Sequence, residues 1–121
     1  LSKKVAEHNA TCWLINTGWV AGGYGDSSRI KIRWTRALLN AALRGDLDDV
    51  VFVEDERFGF TVPVECEGVP DEILQPRDTW TDKTRYDNVA NLLAQMFIEN
   101  FEQYEEGCSE EVLAASPKVL D

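Results

Sequence analysis

Residues 81–104, TDKTRYDNVANLLAQMFIENFEQY, form the longest periodic segment of the sequence and limit the possible folds most strongly. Apolar side chains recur there every three to four residues, which is the spacing of one face of an α-helix. Thr81 or Asp82 is placed to cap its start. The segment therefore predicts a helix of about six turns. Its apolar stripe consists of Tyr86, Val89 or Ala90, Leu93, Met96 or Phe97, and Phe101.

Shorter patterns predict strands beside further helices. TCWLINT (11–17) is a β-prone apolar run that predicts a buried strand, and RIKIR (29–33) predicts an extended piece with Ile30 and Ile32 on one face. VVFVEDERFGFTVPVE (50–65) predicts two short strands around an acidic turn, with Pro63 at an edge or an end. WTRALLNAALRG (34–45) predicts a helix that ends at Gly45. The fold class expected is α+β, with one small mixed sheet and a long C-terminal helix packed on it.

The remaining segments predict small elements. LSKKVAEHNA (1–10) is typical of the last turns of a helix that stops at Asn9, with Leu1, Val5 and Ala6 on one side. CEGVPDEILQPRDTW (66–80) predicts a turn-rich connector with one helical turn. Ser109 is expected to start a last short helix, which ends before Pro117.

Composition excludes several classes of protein. The 121 residues are enough for one domain, and 22 acidic against 12 basic residues give a formal net charge of −10, which argues against a nucleic-acid partner. The sequence shows neither a membrane-spanning apolar run nor a signal-peptide pattern. The three widely spaced cysteines and the single His8 match no zinc spacing. An odd number of cysteines without a CxxC motif favours a reducing cytoplasm. No nucleophile and base pair is recognisable, so no catalytic residue is predicted.

Residues 16–30, NTGWVAGGYGDSSRI, contain four glycines and end beside a basic cluster formed by Arg29, Lys31, Arg33 and Arg36. The segment is neither a Walker A loop, which requires GxxxxGK[ST], nor a GxGxxG fingerprint. Two interpretations remain open at this point. The first is a surface connector beside a solvated helix start or strand edge, and the second is a binding loop whose glycines admit a ligand while Arg29 supplies charge. Two interpretations also remain for the tryptophans. Trp13 and Trp34 are expected in the core, whereas Trp19 and Trp80 lie at element ends, where lining a pocket is an equal alternative.

Four separated stretches resemble the C-terminal part of ATP-dependent phosphoenolpyruvate carboxykinase. They are WLINTGW (13–19), GG-Y-G followed by RIKI and TRA (22–37), GVPDEILQPRDTW (68–80) and LAQMFIENF (93–101). The resemblance implies a cytoplasmic, gluconeogenic lyase that converts oxaloacetate and ATP to phosphoenolpyruvate, ADP and carbon dioxide, with Mg²⁺ and Mn²⁺. It also implies that residues 1–121 are a single piece of the C-terminal mononucleotide-binding domain. The family's P-loop lysine, metal ligands and substrate arginine lie earlier in its chain and are not found here, so no metal is expected in this piece.

The resemblance implies that Arg29, Ile30 and Thr35 line the base side of the ATP pocket. Arg29 is expected over the adenine or toward the phosphates, Ile30 against the base, and Thr35 with its hydroxyl or backbone N–H on a ring or sugar atom. The family's G-x-G-x-R pattern is replaced here by Gly25-Asp26-Ser27-Ser28-Arg29, which leaves the path of the loop open. ATP or ADP and the missing N-terminal part of the enzyme are the expected partners.

Two other interpretations compete with a piece of a larger enzyme. One is an independently expressed, non-catalytic module derived from the same family, and the other is a helix-rich interaction protein without a ligand. The chain starts at Leu1, and its only methionine is Met96, which favours a cut or an artificial start. A piece of this kind is expected to expose apolar surface that a neighbouring part would cover.

Overall fold

A computed structural model describes residues 2–23 and 25–121, with the side chain of Ser2 left out. Leu1 of the predicted first helix and Tyr24 of the glycine loop lie outside the described residues. Two 3₁₀ turns, Pro76–Thr79 and Glu102–Tyr104, flank the longest helix. The other elements in chain order are α1 (Ser2–His8), β1 (Trp19–Val20), β2 (Ser28–Arg29), α2 (Ile32–Arg44), β3 (Phe52–Glu54), β4 (Thr61–Pro63), α3 (Asp71–Leu74), α4 (Lys83–Phe101) and α5 (Glu110–Ala114).

The strands form two separate antiparallel ribbons, so the prediction of one small mixed sheet was wrong. β1 pairs with β2 in the register Trp19 to Arg29 and Val20 to Ser28. β3 pairs with β4, where the predicted turn joins them and Pro63 is the last residue of its strand. Neither ribbon gains a third strand within the described part of the chain. Helix α4 packs mainly against the Pro76–Thr79 turn and not on a sheet, so that part of the prediction also fails.

The buried strand predicted at 11–17 is also wrong, because these residues have no strand partner and follow an irregular path. Trp13 nevertheless packs against the core, with its ring centroid 6.0 Å from that of Phe52. The predicted extended piece at 29–33 ends early, since Ile32 already begins α2. Ile30 is buried whereas Ile32 is 68% exposed, so the two side chains do not share a face.

Helix α2 carries the predicted apolar stripe to the core and ends at Gly45, whose φ of 78° is the left-handed conformation that favours glycine. Trp34 packs at the edge of this core, half-buried. Burial raises the pKa of the Cys66 thiol, as do the nearby carboxylates of Asp46 and Glu67. The buried core cluster consists of Ala41, Leu47, Cys66, Val69 and Leu74.

Helix α4 is capped as predicted, because the Asp82 carboxylate accepts a hydrogen bond from the backbone N–H of Arg85 at 2.9 Å. The buried face of α4 is narrow, and two of its three buried residues, Ala90 and Ala94, have small side chains; the third is Tyr86. Most of the predicted apolar stripe faces solvent. The exposed apolar side chains of this helix are Val89, Leu92, Leu93, Met96 and Phe97, each more than two-fifths exposed.

The accessible surface of 9331 Å² is large for a chain of 13.7 kDa. A compact monomer of this mass exposes roughly 6,600 Å². None of the described large side chains is fully buried, and the core stays small as a result. None of the helices in the described part is long and apolar enough to cross a membrane.

The ends of the chain follow the sequence predictions. Asn9 follows α1 with a φ of 49°, which suits a helix stop. Ser109 caps α5, accepting from the backbone N–H of Val112 at 3.4 Å. The tail then returns to the β3–β4 turn, where the Lys118 backbone N–H donates to the Arg57 carbonyl at 2.7 Å.

Candidate nucleotide-facing site

The candidate site comprises the β1–β2 ribbon, the glycine loop between its strands, and the start of α2. The Asn16 side chain fixes the turn before β1. It accepts a hydrogen bond from the Gly18 N–H at 2.8 Å and donates one to the Trp19 carbonyl at 3.2 Å. The Ile30 N–H donates to the Gly18 carbonyl at 2.8 Å and extends the ribbon by one bond. Ile30 leads directly to Lys31, the N-cap of α2. The ribbon thus places Arg29 and the helix start side by side.

The loop closes through the side chain of Ser27. The Ser27 hydroxyl donates to the Gly23 carbonyl at 2.9 Å, and the Asp26 N–H donates to the same carbonyl at 3.3 Å. Ser27 does not adopt a positive φ, whereas Gly22 and Gly25 do, at 149° and 91°. A side chain at Gly22 would approach the Ser27 Cβ to 3.2 Å. The loop therefore turns at its glycines, and Ser27 contributes a side-chain bond.

Arg29, Ile30 and Thr35 lie close together in the chain but differ in exposure. Arg29 is exposed, and its Nε donates to the Thr17 carbonyl at 3.3 Å. Ile30 is only 7% exposed, which leaves little of its surface for a ligand. Thr35 is half-buried in the first turn of α2, and its backbone N–H already donates to the Lys31 carbonyl at 3.3 Å. Its hydroxyl is the group left to contact a ligand.

The basic cluster at the helix start has no acidic partner among the described residues. Arg29, Lys31, Arg33 and Arg36 are all exposed, and none forms an ion pair there. Lys31 and Arg33 lie against the Trp34 ring, at 4.9 Å and 5.4 Å from its centroid. The first turn of α2 holds no acidic residue, and no described side chain caps it. Positive charge and the amide groups of a helix start both favour an anion.

Two open cavities lie away from these residues. One, of about 740 Å³, is lined by the end of α2 and the segment around Cys66. The other, of about 640 Å³, lies between Arg57 of the β3–β4 turn, the Pro76–Thr79 turn and α4. Neither is lined by Arg29, Ile30 or Thr35. No group of three or more His, Cys, Asp or Glu side chains in the described residues is placed to hold a metal ion.

The sequence did not predict the burial of Arg57 or the contacts that Thr79 and Arg85 make with the glycine loop. Arg57 is buried at 7% exposure although it sits in an acidic surface turn. Thr79 and Arg85 contact the glycine loop from a position almost half the chain away. The only available signal was that Thr79 falls within the family-like stretch GVPDEILQPRDTW (68–80).

Comparison with known proteins identifies relatives of the chain. A sequence profile of the family described as phosphoenolpyruvate carboxykinase matches residues 1–72. The phosphoenolpyruvate carboxykinase (ATP) of Ruegeria sp. is 53% identical over 116 residues, which are 96% of this chain and 22% of the relative. The same enzyme of Geobacter metallireducens is 52% identical over 104 residues, 86% of this chain and 20% of the relative.

A third relative, the phosphoenolpyruvate carboxykinase (ATP) of Flavobacterium johnsoniae, is 50% identical over 117 residues, 97% of this chain and 22% of its own length. The chain thus spans about a fifth of the curated relatives that it matches. The matched part is a C-terminal portion of those proteins. The chain belongs to the ATP-dependent phosphoenolpyruvate carboxykinase family.

Proposed function

We propose that this chain provides the base side of the ATP pocket in an enzyme that converts oxaloacetate and ATP to phosphoenolpyruvate, ADP and carbon dioxide. The observation that carries the proposal is the basic cluster. In a chain of net charge −10, four exposed cations lie at one ribbon and helix start without a described carboxylate partner. Such a field attracts an anionic nucleotide to this face.

Each predicted residue has a role that its position allows. Arg29 is exposed, and only its Nε has a described hydrogen bond, to the Thr17 carbonyl, so its guanidinium can stack on the adenine or approach the phosphates. The Thr35 hydroxyl can accept from or donate to the base or the ribose. Ile30 is buried, so its proposed role is to pack beneath the base and not to contact it over a large area. The pocket is thereby assigned to the base end of the nucleotide.

The triphosphate, the oxaloacetate and the Mg²⁺ and Mn²⁺ ions are assigned to the rest of a longer, cytoplasmic polypeptide. In the described part of this chain no metal-holding cluster is formed. ATP supplies the phosphoryl group when bound, and this chain orients its base. By itself the chain is proposed to be catalytically inactive, because the groups that hold the triphosphate, the metals and the oxaloacetate are assigned to the rest of the polypeptide. It is also proposed to bind ATP poorly, because base-side contacts alone must offset the whole cost of immobilising the ligand.

The exposed apolar side chains of α4, here called the exposed stripe, support the same proposal. They are Val89, Leu92, Leu93, Met96 and Phe97. These five large apolar side chains are spread over one continuous arc of the helix, next to the buried face. The excess of exposed surface over that of a compact monomer points the same way. We assign the stripe to packing against the preceding part of the enzyme. The matched residues are only 22% of the relative from Ruegeria sp., so most of such an enzyme lies outside the matched region.

Calorimetric titration of ATP and ADP into the full-length polypeptide tests the proposal. Arg29→Ala is expected to weaken ATP binding by about 1 to 3 kcal/mol, the range for a lost charge-assisted contact, with folding nearly unchanged. Thr35→Val is expected to cost about 0.5 to 1.5 kcal/mol. Unchanged affinity in Arg29→Ala would refute the pocket assignment. Tight binding by the 121 residues alone would instead favour an independent binding module.

A further inference from the structure

The glycine loop is fastened at two points to one short region of the chain. The Ala21 backbone N–H donates to the Thr79 hydroxyl at 3.1 Å, across 58 residues of sequence. Nearer its other end, the Asp26 carboxylate pairs with the Arg85 guanidinium at 3.0 Å, across 59 residues. Both partners belong to the 3₁₀ turn and the start of α4, so the loop is held against one platform.

Thr79 is a fixed anchor because its hydroxyl donates one hydrogen bond and accepts another. Its one proton goes to the Pro76 carbonyl at 2.7 Å, which leaves a lone pair directed to the Ala21 N–H. Lys83 stiffens the same turn, since its ammonium group donates to the carbonyls of Arg77 and Asp78 at 2.8 Å and 3.0 Å. The turn is thus bonded internally before it receives the loop.

The anchored residue Ala21 needs such a bond. Its φ of 66° lies in the left-handed region, which is unfavourable for a residue with a Cβ. Conformations of this kind persist where surrounding contacts determine them. The hydrogen bond to Thr79 is the described contact that holds Ala21 at this point of the loop.

Arg85 is also held before it meets the loop. Its backbone N–H is bonded to the Asp82 cap, and its guanidinium lies 6.0 Å from the centroid of the Trp80 ring. Trp80 in turn contacts Tyr86 edge to face, with centroids 5.7 Å apart. The guanidinium therefore approaches Asp26 from a supported position.

The two contacts control the ribbon that carries the candidate site. Ala21 directly follows β1, and only Ser27 separates Asp26 from the start of β2. Because Trp19 pairs with Arg29 in this ribbon, a shift of either loop end moves Arg29. We infer that Thr79 and Arg85 are positioning residues, which hold the glycine loop and thereby Arg29 in the orientation that binds the nucleotide base. The inference rests on the proposed ATP pocket.

Two pairs of variants in the full-length polypeptide test this role. Thr79→Val removes, at nearly constant shape, both the acceptor for the Ala21 N–H and the donor to the Pro76 carbonyl, and Thr79→Ser restores both. Arg85→Asp sets two carboxylates against each other, and the double variant Asp26→Arg with Arg85→Asp restores an opposite pair. Thr81→Val, an exposed threonine two residues after Thr79, is the matched control. The readouts are the ATP dissociation constant and the amide hydrogen exchange of Ala21.

Thr79→Val is expected to speed Ala21 exchange and to weaken ATP binding by about two- to tenfold, the equivalent of one neutral hydrogen bond. Thr79→Ser and the charge-swapped double variant are expected to recover affinity, and added salt is expected to reduce only the effect of Arg85→Asp. A purely structural role would lower stability without these rescues of affinity.

The outcomes separate the two proposals. Normal ATP affinity in a Thr79→Val protein whose Ala21 exchange has increased would overturn the positioning role and leave the pocket intact. Unchanged Ala21 exchange in that variant would show that the contact itself is absent. A wild-type protein that binds no ATP would refute the pocket, and the positioning role with it.

Discussion

Arg57 donates through its Nε to the side-chain oxygen of Asn91 at 2.8 Å, which ties the β3–β4 turn to the middle of α4. Asn91 also exchanges two hydrogen bonds with the backbone of Leu120, at 2.6 Å and 3.0 Å. The Arg57 guanidinium lies 5.9 Å from the Tyr86 ring centroid and 3.8 Å from the Asp87 carboxylate. One amide side chain thus joins three separate parts of the chain.

Asn91→Ala is expected to lower the free energy of unfolding by about 1.5 to 3 kcal/mol, because it removes an acceptor from a buried charged group. Chemical denaturation of the 121-residue chain measures the change. Asn88→Ala is the control, since Asn88 is exposed on the same helix. Equal losses in both variants would contradict the role of Asn91.

Asp87 gives the fold a defined acid sensitivity. The pKa of its carboxyl is held below its ordinary value of 3.8, chiefly by hydrogen bonding from Arg77 and also by the charges of Arg77 and Arg57, against the effect of burial. A depressed folded-state pKa means that the stabilisation is present above pH 3.8 and is lost as the pH falls through the folded value.

Asp87→Asn is therefore expected to be less stable than the wild type at pH 7, with a difference that shrinks below pH 3.8 and then disappears. Thermal unfolding followed by circular dichroism between pH 7 and pH 2 measures it. Asp49→Asn, at an exposed carboxylate without a described ion pair, is expected to show no such convergence. A constant difference at every pH would exclude the ionised pair as its source.

The exposed stripe of α4 predicts self-association of the isolated chain. Leu92 and Met96 are 63% and 57% exposed, and apolar patches beyond roughly 400 Å² are unusual on monomers. Leu92→Lys with Met96→Lys is expected to reduce binding of an apolar dye and to shift sedimentation toward the monomer, at unchanged helix content. Asn88→Lys with Gln95→Lys adds the same charge on the polar side as a control. A wild-type monomer at high concentration without dye binding would contradict the prediction.

The sequence was most informative where a pattern depends on neighbouring residues. The C-cap at Gly45, the cap at Asp82 and the short helix after Ser109 are formed as predicted, because helix ends are set by local hydrogen bonds and φ preferences. The β3–β4 hairpin was predictable for the same reason. Its two apolar runs enclose a turn in which Asp55 accepts from the N–H groups of Arg57 and Phe58.

Long-range features were missed. The run TCWLINT has high β propensity, but a strand needs a partner and the described chain places none beside it. The stripe on α4 has helical spacing, yet spacing alone does not show which part of an apolar arc is covered. The contacts of Thr79 with Ala21 and of Arg85 with Asp26 join residues far apart in the sequence, and no local pattern marks them. The roles of Arg29, Ile30 and Thr35 stay predictions.

If the start of α2 binds an anion as proposed, its basic residues favour binding at a cost in folding stability. Lys31, Arg33 and Arg36 surround the end of the helix where the macrodipole is positive, and the first turn has no acidic residue to offset them. Charges at helix ends change stability by about 0.3 to 1 kcal/mol each, so we expect these residues to leave the start of α2 electrostatically frustrated. Arg33→Gln is then expected to raise the melting temperature in low-salt buffer, while added inorganic phosphate raises that of the wild type more than that of the variant. A variant with a lower melting temperature, or an equal response to phosphate, would show that no such frustration exists.

If the frustration at the start of α2 exists, a more stable version of this chain is obtained most readily by weakening its attraction for anions. Selection for stability alone would then remove the basic residues of the proposed site.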